Sequence, residues 1–233
     1  MRLGAVTLDA AGTLFDVAEP VGVTYARVAA HHGVRLVAED VERRFRAAMA
    51  AAPPLAFPGA GAPDLPERER AWWRTVVQAA LGPGAAPVAG ACFADLFAYY
   101  ARPAAWRVYP EVPAVLEALR TSGLRLAVVS NFDGRLPGLL AGLGLSAFLD
   151  HVLHSSRAGC AKPDAAIFHA AVAALGVPPG HALHAGDSVG VDVEGARAAG
   201  LRAVLVDRAG HRPPPPPGVA AIRSLGELPT LVR

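Results

Sequence analysis

The chain has 233 residues, 53% of them hydrophobic and 18% charged, with a formal net charge of +2; it can bury a substantial core, and it carries no basic stripe interleaved with aromatics that would suit nucleic acid. The long uncharged stretch at 75–94 is broken by Gly82-Pro83-Gly84, Pro87 and Gly90, which excludes a membrane-spanning helix, and the short apolar run at the N-terminus ends in Asp9, unlike a secretion signal, so a cytoplasmic location is expected. Cys92 and Cys160 lie far apart and form no CxxC pair, which leaves neither a disulfide framework nor a structural zinc site.

In chain order, the first apolar run, 3–8, reads as a buried strand with Asp9-Ala10-Ala11-Gly12-Thr13-Leu14-Phe15 at its tip. A carboxylate there suits a nucleophile, and equally a turn or helix cap. From 15 to about 100 the pattern turns purely helical, with Val41, Phe45 and Met49 on one face, Trp72, Val76 and Ala80 on another, then Phe93, Phe97 and Tyr100. Trp72 and Trp73 are expected to pack this insert against the rest of the chain. A helix at 111–122 then precedes a strand at 124–129, which ends in Ser130-Asn131, a hydroxyl and an amide able to bind anionic oxygens.

Helix 135–142, strand 148–153, helix 164–175, strand 181–185, helix 191–199 and strand 202–206 follow. Strands alternating with helices predict an α/β fold with a Rossmann-like parallel sheet, whose ligands bind beyond the carboxyl ends of the strands. Lys162-Pro163-Asp164 precedes a helix, with the proline suited to its first turn. Lys162 is notable because every other basic residue is arginine; a compact ammonium is not interchangeable with a planar guanidinium. Gly186-Asp187-Ser188, with Asp192 four residues on, offers paired carboxylates to a hard cation such as Mg²⁺. The proline run within 211–218 reads as an extended surface segment before a last short helix.

These four segments, in this order, closely resemble the haloacid dehalogenase (HAD) superfamily, and the resemblance spans nearly the whole chain. Ser130-Asn131-Phe132-Asp133 resembles the second motif of its rhythmically-expressed-gene-2-like branch. The resemblance implies a core formed by residues 1–15 and 101–233 and an inserted helical cap at 16–100. It implies hydrolysis of a small phosphorylated metabolite through an aspartyl-phosphate on Asp9. Mg²⁺ would be held by Asp9, Asp187, the carbonyl of Ala11 and, directly or through water, Asp192. Lys162 would bridge the nucleophile and the phosphate, and Ser130 and Asn131 would contact the transferring group. A monomer or homodimer is expected, with no nucleic-acid partner.

Ala11 stands where most phosphatases of the superfamily carry a second Asp that protonates the leaving group. Phosphonoacetaldehyde hydrolases share an alanine there, but their chemistry needs a cap lysine and this cap has none. L-2-haloacid dehalogenases match the first motif almost letter for letter; they use no metal, and Asp187 would add negative charge to a site that must accept a carboxylate. A binding protein without efficient turnover is the third alternative. His154, close to a strand end, is a candidate for the missing acid.

Overall fold

The computed structural model describes residues 3–232. Ala5–Leu8 forms β1 and Phe15–Val17 forms β2. Four helices follow: α1 (Val21–His31), α2 (Ala38–Ala51), α3 (Leu65–Leu81) and α4 (Ala89–Tyr99). The chain returns through β3 (Trp106–Val108) and then alternates: α5 (Val112–Thr121), β4 (Arg125–Ser130), α6 (Leu136–Gly142), β5 (His151–His154), α7 (Ser155–Ala158), α8 (Ala165–Ala174), β6 (Ala182–Gly186), a π-turn (Val189–Val193), α9 (Glu194–Ala198), β7 (Arg202–Val206), β8 (Ala220–Ile222) and α10 (Leu228–Leu231).

Six strands pair in parallel in the order β5-β4-β1-β6-β7-β8, the parallel sheet expected from the alternation. The side-chain period of two sorts them between two cores. Val6, Leu8, Leu126 and Val128 face Leu116, Leu119, Leu136 and Leu139 of α5 and α6. Ala5, Ala127 and Val129 face Ile167, Phe168 and Ala171 of α8 and Ala196 of α9. The helices at 21–99 bury a third cluster around Tyr25, Val41, Val77, Leu81, Phe93 and Leu96. No helix among the described residues is long and apolar enough to cross a membrane.

Several expectations need correction. The helical reading from Phe15 onward missed β2, which pairs antiparallel with β3 and forms a two-stranded ribbon at the root of the helical insert. An extra strand, β8, extends the sheet after the proline run. Pro163 lies outside the first turn of α8, because Asp164 is the cap and accepts from the Ala166 N–H at 2.9 Å. The helix expected from 191 opens as a π-turn and becomes α-helical only at Glu194. Met49 is 39% exposed, at the end of a face on which Val41 is fully buried.

Candidate active site

β1 is fully buried, flanked by β4 and β6, so its end is held from both sides. The Asp9 N–H donates to the Ala185 carbonyl at 2.9 Å, which extends the register by one residue. The chain then turns tightly: the Ala10 carbonyl accepts from Leu14 N–H at 2.7 Å, and the Gly12 N–H donates to the Phe15 carbonyl at 2.8 Å. Arg208 secures the turn from behind by donating from Nη2 to the Thr13 carbonyl at 2.6 Å and from Nη1 to Glu111 at 2.7 Å. Asp9 is left 7% exposed at the carboxyl edge of the sheet.

Gly12 has φ +84°, and a Cβ there would lie 2.7 Å from Asp187 Oδ2. Only glycine satisfies both the conformation and the approach. Gly12→Ala is therefore expected to cost about 1–3 kcal/mol and to displace Asp187; an unchanged urea midpoint would show that the turn tolerates a side chain.

Lys162 reaches Asp9 from the loop before α8. Its Nζ donates to Asp9 Oδ1 at 2.7 Å and to Asp192 Oδ1 at 2.5 Å, with the side chain 1% exposed. Asn131, just past β4, clamps the lysine's main chain: its Nδ2 donates to the Lys162 carbonyl at 2.9 Å, and its Oδ1 accepts from the Lys162 N–H at 2.8 Å. The amide expected to contact substrate is thus engaged in positioning the lysine. Ser130 closes β4 with 3% exposure, one strand over from Asp9.

Asp192 sits on the π-turn, a form that recurs at functional sites. It packs over Gly186, where a Cβ would lie 2.3 Å from its Cγ. Besides Lys162, its carboxylate accepts from the Ser188 N–H at 2.9 Å and lies 3.1 Å from His184 Nε2. His184 Nδ1 is 2.9 Å from Thr7 Oγ1, its cross-strand partner. Burial lowers the His184 pKa against the pull of Asp192; since a carboxylate only accepts, Nε2 is the nitrogen that donates to Asp192. No local sequence pattern marks the link of His184 to Asp192, which joins β6 to the π-turn in three dimensions.

Asp187 follows β6 and is paired with Arg212, a contact no sequence pattern announced. Ligand atoms of Asp9, Asp187 and Asp192 lie within 4.8 Å of one another. Burial, then the charge of Asp9, pushes the Asp187 carboxyl up to about 6. Burial also raises Asp9, against the opposing effect of Lys162. At Asp192 burial is overridden by Lys162 and His184, which hold it well below the usual carboxylate range. The same two carboxylates override burial and hold Lys162 charged. Three carboxylates meet here against two cations, the buried Lys162 and the more exposed Arg212, and the remaining negative charge and all-oxygen donor set fit a hard divalent cation. Asp192 already serves three donors, so Asp9 and Asp187 are the better placed of the three to bind one.

The insert meets this centre through α3. Trp73 Nε1 donates to Asp133 Oδ2 at 2.6 Å, and Arg135 Nη2 donates to the same oxygen at 2.6 Å. Glu69 Oε1 accepts from Gly134 N–H at 2.9 Å and from Ser156 Oγ at 2.5 Å. Trp73 thus packs the insert on the core, as expected, and also walls the cleft beside Asp9 together with Trp72, Ala11, Asn131 and Lys162. His154 is buried, 2.8 Å from Ser156 Oγ, and absent from the cleft wall, so it is not positioned to replace a missing acid. Burial holds its pKa below the usual histidine value. Unfolding therefore takes up a proton as pH falls below the unfolded value near ~6.5, and this residue contributes a stability loss on acidification that His154→Phe should remove, as read by urea midpoints across that range.

Residues 3–200 match the hydrolase family described as haloacid dehalogenase-like hydrolase. Haloacid dehalogenase-like hydrolase domain-containing protein 3 of Bos taurus is 37% identical over 214 residues, covering 88% of this chain and 82% of the relative. A phosphoserine phosphatase of Thermus thermophilus is 38% identical over 167 residues, 70% of this chain and 63% of its own. The solved 2-haloacid dehalogenase of Pseudomonas syringae superposes with a TM-score of 0.68 at 24% identity, covering 99% of this chain and 98% of its own. That last likeness shows the fold alone, so the choice between reactions rests on the site.

Proposed function

The chain belongs to the haloacid dehalogenase-like hydrolase family, and from that premise we propose that it is a Mg²⁺-dependent phosphatase acting on a small phosphorylated molecule through a covalent aspartyl-phosphate on Asp9. The observation that carries this reading is the convergence of Asp9, Asp187 and Asp192 within 4.8 Å of one another, with the buried Lys162 bridging Asp9 and Asp192 and Arg212 pairing Asp187. A site for a 2-haloacid must accept a carboxylate, and three carboxylates against the two cations Lys162 and Arg212 leave a net negative charge that repels it. A phosphate ester bound with a divalent cation relieves the same charge excess. The phosphatase relative supports this choice.

In this reading Asp9 attacks phosphorus with the oxygen not held by Lys162. Lys162 holds the other oxygen and so fixes the carboxylate's direction, while its remaining proton is available to a phosphate oxygen. Asp192 keeps the ammonium in place, and Asn131 anchors the lysine's backbone. Ser130 contributes a hydroxyl to the transferring group at the adjacent strand end. Asp9 and Asp187, with the carbonyl of Ala11, would hold Mg²⁺, and Asp192 would support it from behind. Bound there, Mg²⁺ neutralises charge that otherwise sets an anionic nucleophile against an anionic ester.

The test measures phosphate release from a panel of phosphate esters and halide release from 2-haloacids, each with Mg²⁺ and with chelator. Phosphate release that disappears with chelator is expected. Asp187→Asn should lower it at least about 10²-fold, with partial recovery as Mg²⁺ is raised. Halide release that persists with chelator would overturn the assignment.

A further inference from the structure

The cleft that opens beside Asp9 and Lys162 has a volume of about 840 Å³, within the usual range of small-molecule sites. Its floor beside the nucleophile is Ala11, Asn131 and Lys162, so a leaving group bonded to a phosphate held there projects into the cleft. An inner recess of about 80 Å³ continues under the helical insert and shares Val17, Val21, Phe45, Trp73, Trp106 and Phe132 with the cleft. Rings of the recess wall form a connected set: Phe45 lies 5.7 Å from Tyr25, Tyr25 6.3 Å from Tyr100, Tyr100 5.8 Å from Trp106 and Trp106 5.9 Å from Phe132. The recess contains one formal charge, Arg135, and that guanidinium is paired with Asp133 at 2.6 Å. Such walls bind a flat apolar body and give little to a polyhydroxylated one.

The second observation concerns protons. Among the described residues, the acids lining the cleft are Asp16, Glu19 and Glu42. Each already accepts hydrogen bonds: Asp16 from Val17 N–H and Tyr109 OH, Glu19 from Thr24 and Arg27, Glu42 from Gly22 N–H and Arg46. Each of the three is thus engaged as an acceptor by partners of its own. Lys162 is bound to two carboxylates at the phosphate end. At Ala11, against the leaving group, there is only a methyl group.

We propose that the substrate is the phosphate monoester of a phenol-like alcohol, an uncharged aromatic leaving group that departs as its own oxyanion. This rests on the phosphatase reading above and narrows it. The Asp9 oxygen bonds to phosphorus as the ester P–O bond breaks, and the bonding pair leaves on the phenolic oxygen, which takes a proton from solvent after departure. Water then adds to phosphorus, the bond to Asp9 breaks, its proton passes to solvent, and phosphate and the free carboxylate are restored. Aryl oxygens ionise near pH ~10 and leave without help, whereas alkyl oxygens do not.

The experiment compares phenyl, cyclohexyl, benzyl and propyl phosphate under Mg²⁺, with Asp9→Asn as blank. Phenyl and cyclohexyl rings are similar in size and differ in leaving-group basicity, while benzyl keeps the aromatic ring on a basic oxygen. The expected result is a kcat for phenyl phosphate at least about 10²-fold above those of the cyclohexyl and benzyl esters, with low KM for both aromatic esters. Ala11→Asp should narrow that gap by raising turnover of the alkyl esters. Phe45→Ala should raise KM for the phenyl and benzyl esters several-fold and leave that for propyl phosphate unchanged. Cyclohexyl or propyl phosphate turned over as fast as phenyl phosphate would overturn the proposal while the phosphatase stands. Asp9-dependent release from none of the four would remove both.

Discussion

Asp9→Asn lowers turnover of the best phosphate ester by at least about 10⁴-fold and leaves the fold intact. The amide is isosteric and its oxygen can still accept from Lys162 Nζ, now 2.7 Å from Asp9 Oδ1, but an amide does not form the acyl phosphate. Stability gives a separate readout. Burial raises the Asp9 pKa, so the folded state binds a proton more readily than the unfolded one. Ionisation near neutral pH therefore works against folding, and replacing the carboxylate removes that burden. The metal-free variant should unfold no earlier than the parent, or within the roughly 2–4 °C that 1 kcal/mol produces at this size. A variant that keeps a tenth of the parent rate would show that another group carries the chemistry.

Lys162→Met should be costly to both stability and activity. The ammonium is the one cation in hydrogen-bond contact with Asp9 and Asp192 among the described residues, and its side chain is 1% exposed. Removing one partner from a buried charge cluster costs about 3–5 kcal/mol, because the carboxylates remain buried without compensation. Urea unfolding in chelator measures this, and the double variant Lys162→Met with Asp192→Asn should recover part of the loss. Activity should fall about 10³-fold, as expected for a preorganised charge at the transferring group. Lys162→Arg is not expected to restore it, since a planar fork does not fit where a point charge meets Oδ1 of two carboxylates at 2.7 and 2.5 Å. A Lys162→Met protein of parental stability would mean that the carboxylates are protonated and the charge-excess argument fails.

Asp9, Lys162, Asp187 and Asp192 were legible in the sequence because each lies at a strand end or a helix entry, where local pattern marks the place. The parallel sheet was legible for the same reason, since its strands are buried runs bounded by turn residues. β2 and β3 were not, because each is three residues long and their pairing joins positions 15–17 to 106–108 across the whole insert. β8 was hidden behind the proline run and has two exposed residues of three. Arg212, His184 and Glu69 act through partners 25, 8 and 65 or more positions away, and their residue types fit a solvated surface equally well. Asn131 was legible as an amide at a strand end, but its clamp on the lysine's main chain was not, because that proximity depends on how the loop before α8 folds back onto β4.

The covalent role of Asp9 is tested by quenching the enzyme in acid during turnover of phenyl phosphate with Mg²⁺, digesting it and mapping the phosphoryl group. A phosphorylated peptide containing Asp9 is expected, and it disappears in Asp9→Asn and in chelator. Phosphate accumulating while that peptide stays unlabelled at every time point would contradict that role.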